Sequence, residues 1–341
     1  MTRQDSQTIK GVAIILMLFL HLFNHLDVVE TCHNLVFING KPLAYILSRC
    51  SNPVGFFLVI GGYGMYKVWL KGDRHRWTRV FKLLLHFWLI TAIFVCIGHF
   101  KNPTAYPGSL TRILSNFLCY EQTYNAEMWF LLPYLVLSLI SPFIFKLYDR
   151  FKWWHVVGAT LFINLCTSFC ISRFGVAFFY QNYWAYNPLL VFHLLFNFSL
   201  GATAARFNFF EKLKCKANTL SHNFLYKWGG VILLVLLSLN FRYNFFYPFL
   251  IISCIACMNI WAPFRKALIT LGNNSMNMWM IHTWFAYYLF HNFIYSFEYP
   301  LLILIVLIIV SLLSSYVINA ICKPIERLIL TKTEARQKIM I

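Results

Sequence analysis

Ten times along its length the chain turns apolar for the roughly twenty residues that a helix needs to cross a bilayer. The runs lie at 11–29, 43–66, 83–99, 128–145, 154–172, 188–205, 226–241, 244–262, 270–290 and 300–322. Hydrocarbon offers no water to backbone amides, so such runs must satisfy their own hydrogen bonds as helices. The expected fold is all-α, a polytopic membrane helical bundle of about ten transmembrane helices. Composition agrees, because only 12% of the 341 residues are charged, about half the share found in soluble domains. No soluble domain, internal repeat or low-complexity tract is visible. One membrane unit over 1–325 and a short basic cytoplasmic tail over 326–341 are expected.

The formal charge of +18 would suggest nucleic acid in a soluble protein. In a membrane chain, basic cytoplasmic loops explain it better, and no nucleic-acid partner is expected. With an inside N-terminus and ten crossings, both termini are cytoplasmic. Only Lys41, Arg49, Lys101, Arg112, Arg173 and Arg242 then fall outside. The first apolar run has no small-residue cleavage site, so no cleavable signal peptide is expected. The cysteines lie mostly inside apolar runs without companion ligands at zinc spacing, so no metal is expected.

The first run carries polar residues at a telling spacing. Lys10 and His21 are separated by about three helical turns, so they share a stripe roughly 16 Å long. This predicts a cation at the cytoplasmic edge and an imidazole in mid-span, with Asn24 and His25 on the same face. An ionisable group at that depth is expensive unless it is paired, and it marks a functional site. The plainer reading, a histidine that only bonds a neighbouring helix, suits one residue better than a His/Asn/His cluster aligned with a cation.

Three other stretches carry chemistry. Lys71 to Lys82 is the densest basic cluster, and Arg76, Arg79 and Lys82 enter the third run on one face. Attraction to membrane lipids accounts for much of such charge, and a polyphosphate site accounts for the arginine pair, since guanidinium grips phosphate bidentately. The external stretch 100–127 and the start of the fourth run present Tyr124, Glu127 and Trp129. Interfacial aromatics are usually belt residues, whereas aromatics beside carboxylates also suit a sugar. Finally, Gly272-Asn273-Asn274-Ser275 reads as a helix start with capping side chains, and it places His282 deep in the membrane. His86 and His193 read as packing histidines. The glycines of the second run, among them Gly61, Gly62 and Gly64, predict close helix approach.

These motifs, taken in order, resemble the acyltransferase-3 family of membrane-bound, acyl-CoA-dependent O-acyltransferases. The resemblance rests on Lys10 ten residues before His21, on Phe56-Phe57-Leu58-Val59-Ile60-Gly61-Gly62-Tyr63, and on the Arg76/Arg79 pair. Met128-Trp129-Phe130-Leu131-Leu132-Pro133 and Leu271-Gly272-Asn273-Asn274-Ser275 with Trp279-Met280-Ile281-His282 complete it. It covers essentially the whole chain. The family usually has arginine where Lys10 stands, and lysine keeps the charge but loses the bidentate fork.

The resemblance implies an O-acetyltransferase with cytoplasmic acetyl-CoA as acyl donor. The implied acceptor is a hydroxyl of a surface glycan or lipid-linked saccharide, and the implied location is the cell membrane, in bacteria the inner membrane. Candidate catalytic residues are His21, His282 and Glu127. Candidate donor-binding residues are Lys10, Arg76, Arg79 and Lys82, and candidates for the acceptor are Asn24, His25, Tyr124 and Trp129. A lipid-linked sugar flippase or secondary transporter is the alternative, but it would predict inverted repeats. A glycosyltransferase using Asp27 and Glu30 would leave the basic entry to the third run unexplained.

Overall fold

The computed structural model of the chain describes residues 1–72, 76–220, 224–240 and 245–339, with side chains except at 219–220, 224–227, 238–240 and 330–339. Its principal helices are α1 (Arg3–Phe23), α2 (Pro53–Leu70), α3 (Arg76–Lys101), α4 (Leu131–Arg150), α5 (Trp153–Phe174) and α6 (Tyr183–Arg206). They continue as α7 (Phe209–Leu220), α8 (Phe224–Asn240), α9 (Tyr247–Cys257), α10 (Ala262–Thr283) and α11 (Pro300–Ile339). A two-strand hairpin, Phe37–Ile38 with Lys41–Pro42, decorates the loop after α1.

Among the described residues, seven helices rather than ten are long and apolar enough to cross a membrane. The other three runs fail on length or polarity. Run 226–241 folds as the 17-residue α8. Run 244–262 yields only the 11-residue α9, about 17 Å of helix against a hydrocarbon core of about 30 Å. Run 270–290 becomes α10, whose Arg265, Lys266 and row of Asn and Ser side chains dilute its hydropathy. Arg242 from the charge argument, and Arg74 within the Lys71 to Lys82 basic cluster, lie outside the described residues.

The first helix is displaced from its expected bounds, and this moves the site. A capping box at Thr2 and Asp5 starts α1 at Arg3, with Asp5 N–H to Thr2 Oγ1 at 3.1 Å and Thr2 N–H to Asp5 Oδ2 at 2.9 Å. The helix then closes at Phe23, with Asn24 as its C-cap. His21 therefore sits in the last turn, about 27 Å from the start of the helix, instead of at mid-span. Asn24 is half-buried and His25 is exposed.

Two glycine-mediated crossings build the core. At α1 against α10, a Cβ on Gly11 would lie 2.1 Å from the Leu268 carbonyl oxygen, and one on Gly272 would lie 1.9 Å from that of Gln7. At α2 against α6, Gly62 and Gly201 make the same reciprocal approach, 2.0 Å from the Phe198 and Val59 oxygens. Close approach by small residues is the way membrane helices gain packing where lipid is as apolar as leucine. The expectation for the second run is met at Gly62.

The Gly272–Ser275 stretch does not start a helix. Helix α10 begins at Ala262, with Pro263 in its first turn, and runs straight through. The polar side chains that sequence assigns to a cap instead bond sideways to α11. Asn274 Oδ1 accepts from Ser315 Oγ at 2.9 Å and from Asn319 Nδ2 at 3.0 Å, while Asn277 Nδ2 reaches Asn319 Oδ1 at 3.2 Å. Each such bond contributes about 0.6 kcal/mol within a membrane. Helix α11 also continues without a break through the residue-325 boundary expected for the tail.

Candidate functional site

The end of α1 is held by its carbonyls. The last four C=O groups of a helix have no partner within it, and here each finds one. Leu20 accepts from Asn24 N–H at 3.0 Å, Leu22 from Tyr295 Oη at 2.8 Å and Phe23 from Ser48 Oγ at 2.9 Å. The carbonyl of His21 accepts from the Tyr287 hydroxyl. Tyr287 belongs to a single π-helical turn, Trp284–Tyr288, that continues α10. Such wide turns are rare and cluster at functional sites.

This anchoring sets the His21 ring beside that of His282, with centroids 5.1 Å apart and planes tilted by 49°. The Tyr287 ring stands nearly perpendicular to those of His21, at 6.0 Å between centroids, and His25, at 6.5 Å. His282 is 0% exposed. Its Nδ1 donates to the Trp279 carbonyl at 2.7 Å, and its Nε2 has no partner among the described residues.

Toward the N-terminal end of α1 from that pair lies a cavity of about 600 Å³. Lys10, Arg79, Lys82, Ser6, Tyr134 and Trp279 are in its wall. Lys10 is close enough to Arg79 and Arg3 to feel their charge. Lys82 is engaged by Glu326 at 2.8 Å. The same carboxylate meets His86 Nε2 at 2.9 Å, and His86 Nδ1 faces Asn277 Oδ1 at 2.6 Å. The packing reading of His86 is thus half the picture: it is fully bonded, and it also lines the cavity. Arg76 turns away and donates to the Leu139 carbonyl at 3.0 Å.

The cavity does not reach His21. Its wall ends at Phe130 and Trp279, whose rings stand edge to face at 5.4 Å, and His282 follows Trp279 by less than one turn. Beyond them, on the side expected to be external, the turn Ala126–Phe130 carries Glu127 and Trp129. Two bonds stitch this turn to the end of α10. Ala126 N–H reaches the Tyr288 hydroxyl at 2.9 Å, and Thr283 Oγ1 reaches Asn125 Oδ1 at 3.0 Å. Glu127 lies within electrostatic reach of Tyr180, Tyr287 and Tyr288. Trp129 packs on the Phe179–Tyr186–Leu190 cluster. Tyr124 is buried, with its hydroxyl bonded to the Pro107 carbonyl and its ring beneath Arg112 at 4.8 Å.

Lys10, Arg79 and Lys82 are therefore gathered in one cavity, and His21 with His282 in one pair. Glu127 stands near that pair through Tyr287, while Arg76 and Tyr124 are engaged elsewhere. Sequence reasoning missed Glu326, Asn277, Tyr134 and Tyr287. Glu326 lies two helical turns after Asn319, a spacing that marks a shared face. Tyr287 gave no signal, because five residues after His282 is off-face in a regular helix. No group of three or more His, Cys, Asp or Glu side chains able to hold a metal occurs among the described residues.

Comparison with known proteins identifies the family. The acyltransferase-3 model, described as an acyltransferase domain, matches residues 5–320. No curated protein and no solved structure matches the chain. A match over nearly the whole length, joined to a bundle of long apolar helices, makes this chain a multi-pass membrane protein that belongs to the acyltransferase-3 family.

Proposed function

We propose that the chain moves an acyl group, acetyl in the first instance, from cytoplasmic acyl-CoA to a hydroxyl of an extracytoplasmic or lipid-linked glycan, with His21 as base or acyl relay. Both termini face the cytoplasm in this reading. The observation that carries it is positional. One helix bears Lys10 in the wall of a cation-lined cavity and, near its far end, an imidazole held by its own backbone. A polyanionic donor relieves the repulsion between Lys10 and Arg79. Its acyl-bearing arm then points at Phe130 and Trp279, where the cavity stops. Transfer requires those two rings to part and open a path to the histidine pair. Glu127, with Trp129 on the same turn, faces the incoming alcohol.

A sugar hydroxyl holds its proton at neutral pH, so a base must take that proton as the C–O bond forms; such assistance contributes about 10²–10⁴-fold. The test uses purified full-length protein in vesicles with acyl-CoA labelled in the acyl group and glycan supplied on the opposite side. Base-labile label on the glycan, matched by released thiol, is expected. If no acyl-CoA yields either product, the proposal is wrong. Replacing Arg79 with alanine should raise the KM for donor by about 10–100-fold, the worth of a charged hydrogen bond, with kcat little changed. An unchanged donor KM would remove Arg79 from the donor site.

A further inference from the structure

The unpartnered nitrogen of His282 has one chemical identity. A carbonyl oxygen can only accept, so the 2.7 Å contact with the Trp279 carbonyl places the neutral ring's proton on Nδ1. Nε2 is then a bare lone pair, fully enclosed and without a hydrogen bond among the described residues. A buried acceptor left unmade costs about 1–3 kcal/mol, and such costs persist at sites where a partner arrives during function.

The His21 ring is placed to be that partner. The two rings make no hydrogen bond as they stand. An imidazole nitrogen lies about 1.1 Å from its ring centre, so at 5.1 Å between centroids a rotation of the His21 ring that aims one nitrogen at Nε2 brings the pair to about 2.9 Å, a hydrogen-bond distance. Catalytic hydrogen bonds are often unmade before substrate binds. The other titratable groups around the pair are His25 beyond the end of α1, Tyr287 on the π turn and Glu127 on the stitched turn. His86 and Glu326 meet α10 farther down, at Asn277.

Building on the proposed function, we propose that His282 is the positioning residue for His21. Its Nε2 accepts one ring N–H of His21 and so fixes the tautomer that leaves the other His21 nitrogen bare. That nitrogen takes the alcohol proton as the new C–O bond forms and the thioester C–S bond breaks. The resulting imidazolium is held through its second N–H by His282, and then passes the added proton to the departing thiolate. Backbone fixes His282, and His282 fixes His21.

The test compares His282→Leu, which has similar bulk and no acceptor, with His282→Gln, whose Oε1 can accept the same N–H. For the leucine variant, kcat should fall by about a hundredfold with donor KM within about threefold, and the acid limb of the kcat–pH profile should move. Glutamine should recover at least about tenfold of that loss. A leucine variant with parental kcat and pH profile, or a glutamine variant no better than leucine, overturns the pairing. Where a variant fails to fold, ¹⁵N NMR of histidine-labelled parent protein decides. A His282 ring protonated at Nδ1 and coupled through Nε2 to His21 supports the pairing, and one protonated at Nε2 overturns it. If His21→Ala is inactive and His282→Leu is not, the pairing falls alone. If His21→Ala retains transfer, the functional reading falls with it.

Discussion

Replacing His21 with alanine is expected to lower kcat for acyl transfer by about two to four orders of magnitude, while donor affinity and melting temperature hold. The reason is a division of labour within one residue. The backbone carbonyl of His21 takes the Tyr287 hydroxyl, and its neighbours Leu22 and Phe23 take Tyr295 and Ser48. None of these anchors needs the imidazole, which makes no hydrogen bond of its own among the described residues and is half-buried. Truncation therefore leaves the end of α1 where it was and removes only the imidazole that the proposed function uses as base or relay. Three measurements separate chemistry from fold: single-turnover transfer, equilibrium binding of a non-transferable donor analogue, and thermal melting. Transfer at the parental rate would exclude His21 from the reaction.

The second large effect concerns stability. Gly272→Leu should prevent assembly of the bundle, and even Gly272→Ala should destabilise it by at least about 1–3 kcal/mol, the usual range for overpacking. The added Cβ would lie 1.9 Å from the Gln7 carbonyl oxygen, and backbone cannot step aside as a side chain can. Helices α1 and α10 would have to separate along the seam that also aligns His21 with His282, so activity should be lost with stability. Gly158→Ala is the control. Its Cβ meets nothing within 4 Å, and alanine favours a helix over glycine by about 1 kcal/mol. Thermal melting in detergent should rank the three variants as Gly158→Ala, Gly272→Ala, Gly272→Leu. Parental stability in Gly272→Ala would contradict the close crossing.

The site was legible where its chemistry follows helical spacing. Lys10 and Arg79 carry charge into an apolar run, and both stand in one cavity wall, whereas Arg76 on the same helix as Arg79 does not. His21 and His282 likewise carry imidazole into apolar runs. What the spacing could not show was depth. The apolar run beginning at residue 11 hid a capping box at Thr2 and Asp5 that shifts the helix bounds toward the N-terminus, so that His21 lies in the last turn rather than the middle. The Asn and Ser cluster of α10 was misread for a related reason. Asparagine and serine serve equally as caps and as lateral glue, and only the presence of Ser315 and Asn319 on the facing helix decides between them.

Sequence alone determined that the chain must be a helical membrane bundle, because long apolar runs in hydrocarbon admit no other backbone solution. It also determined which residue types bring charge and imidazole into that bundle. Tertiary structure decided the rest: which cations share a cavity, that Glu326 holds Lys82 and His86, and that two imidazoles meet at 5.1 Å. These are contacts between helices far apart in the chain, set by where glycine lets backbones touch and by a π turn that swings Tyr287 onto α1. Periodicity fixes which face a residue occupies on its own helix, but only the packing of one helix on another fixes what that face meets.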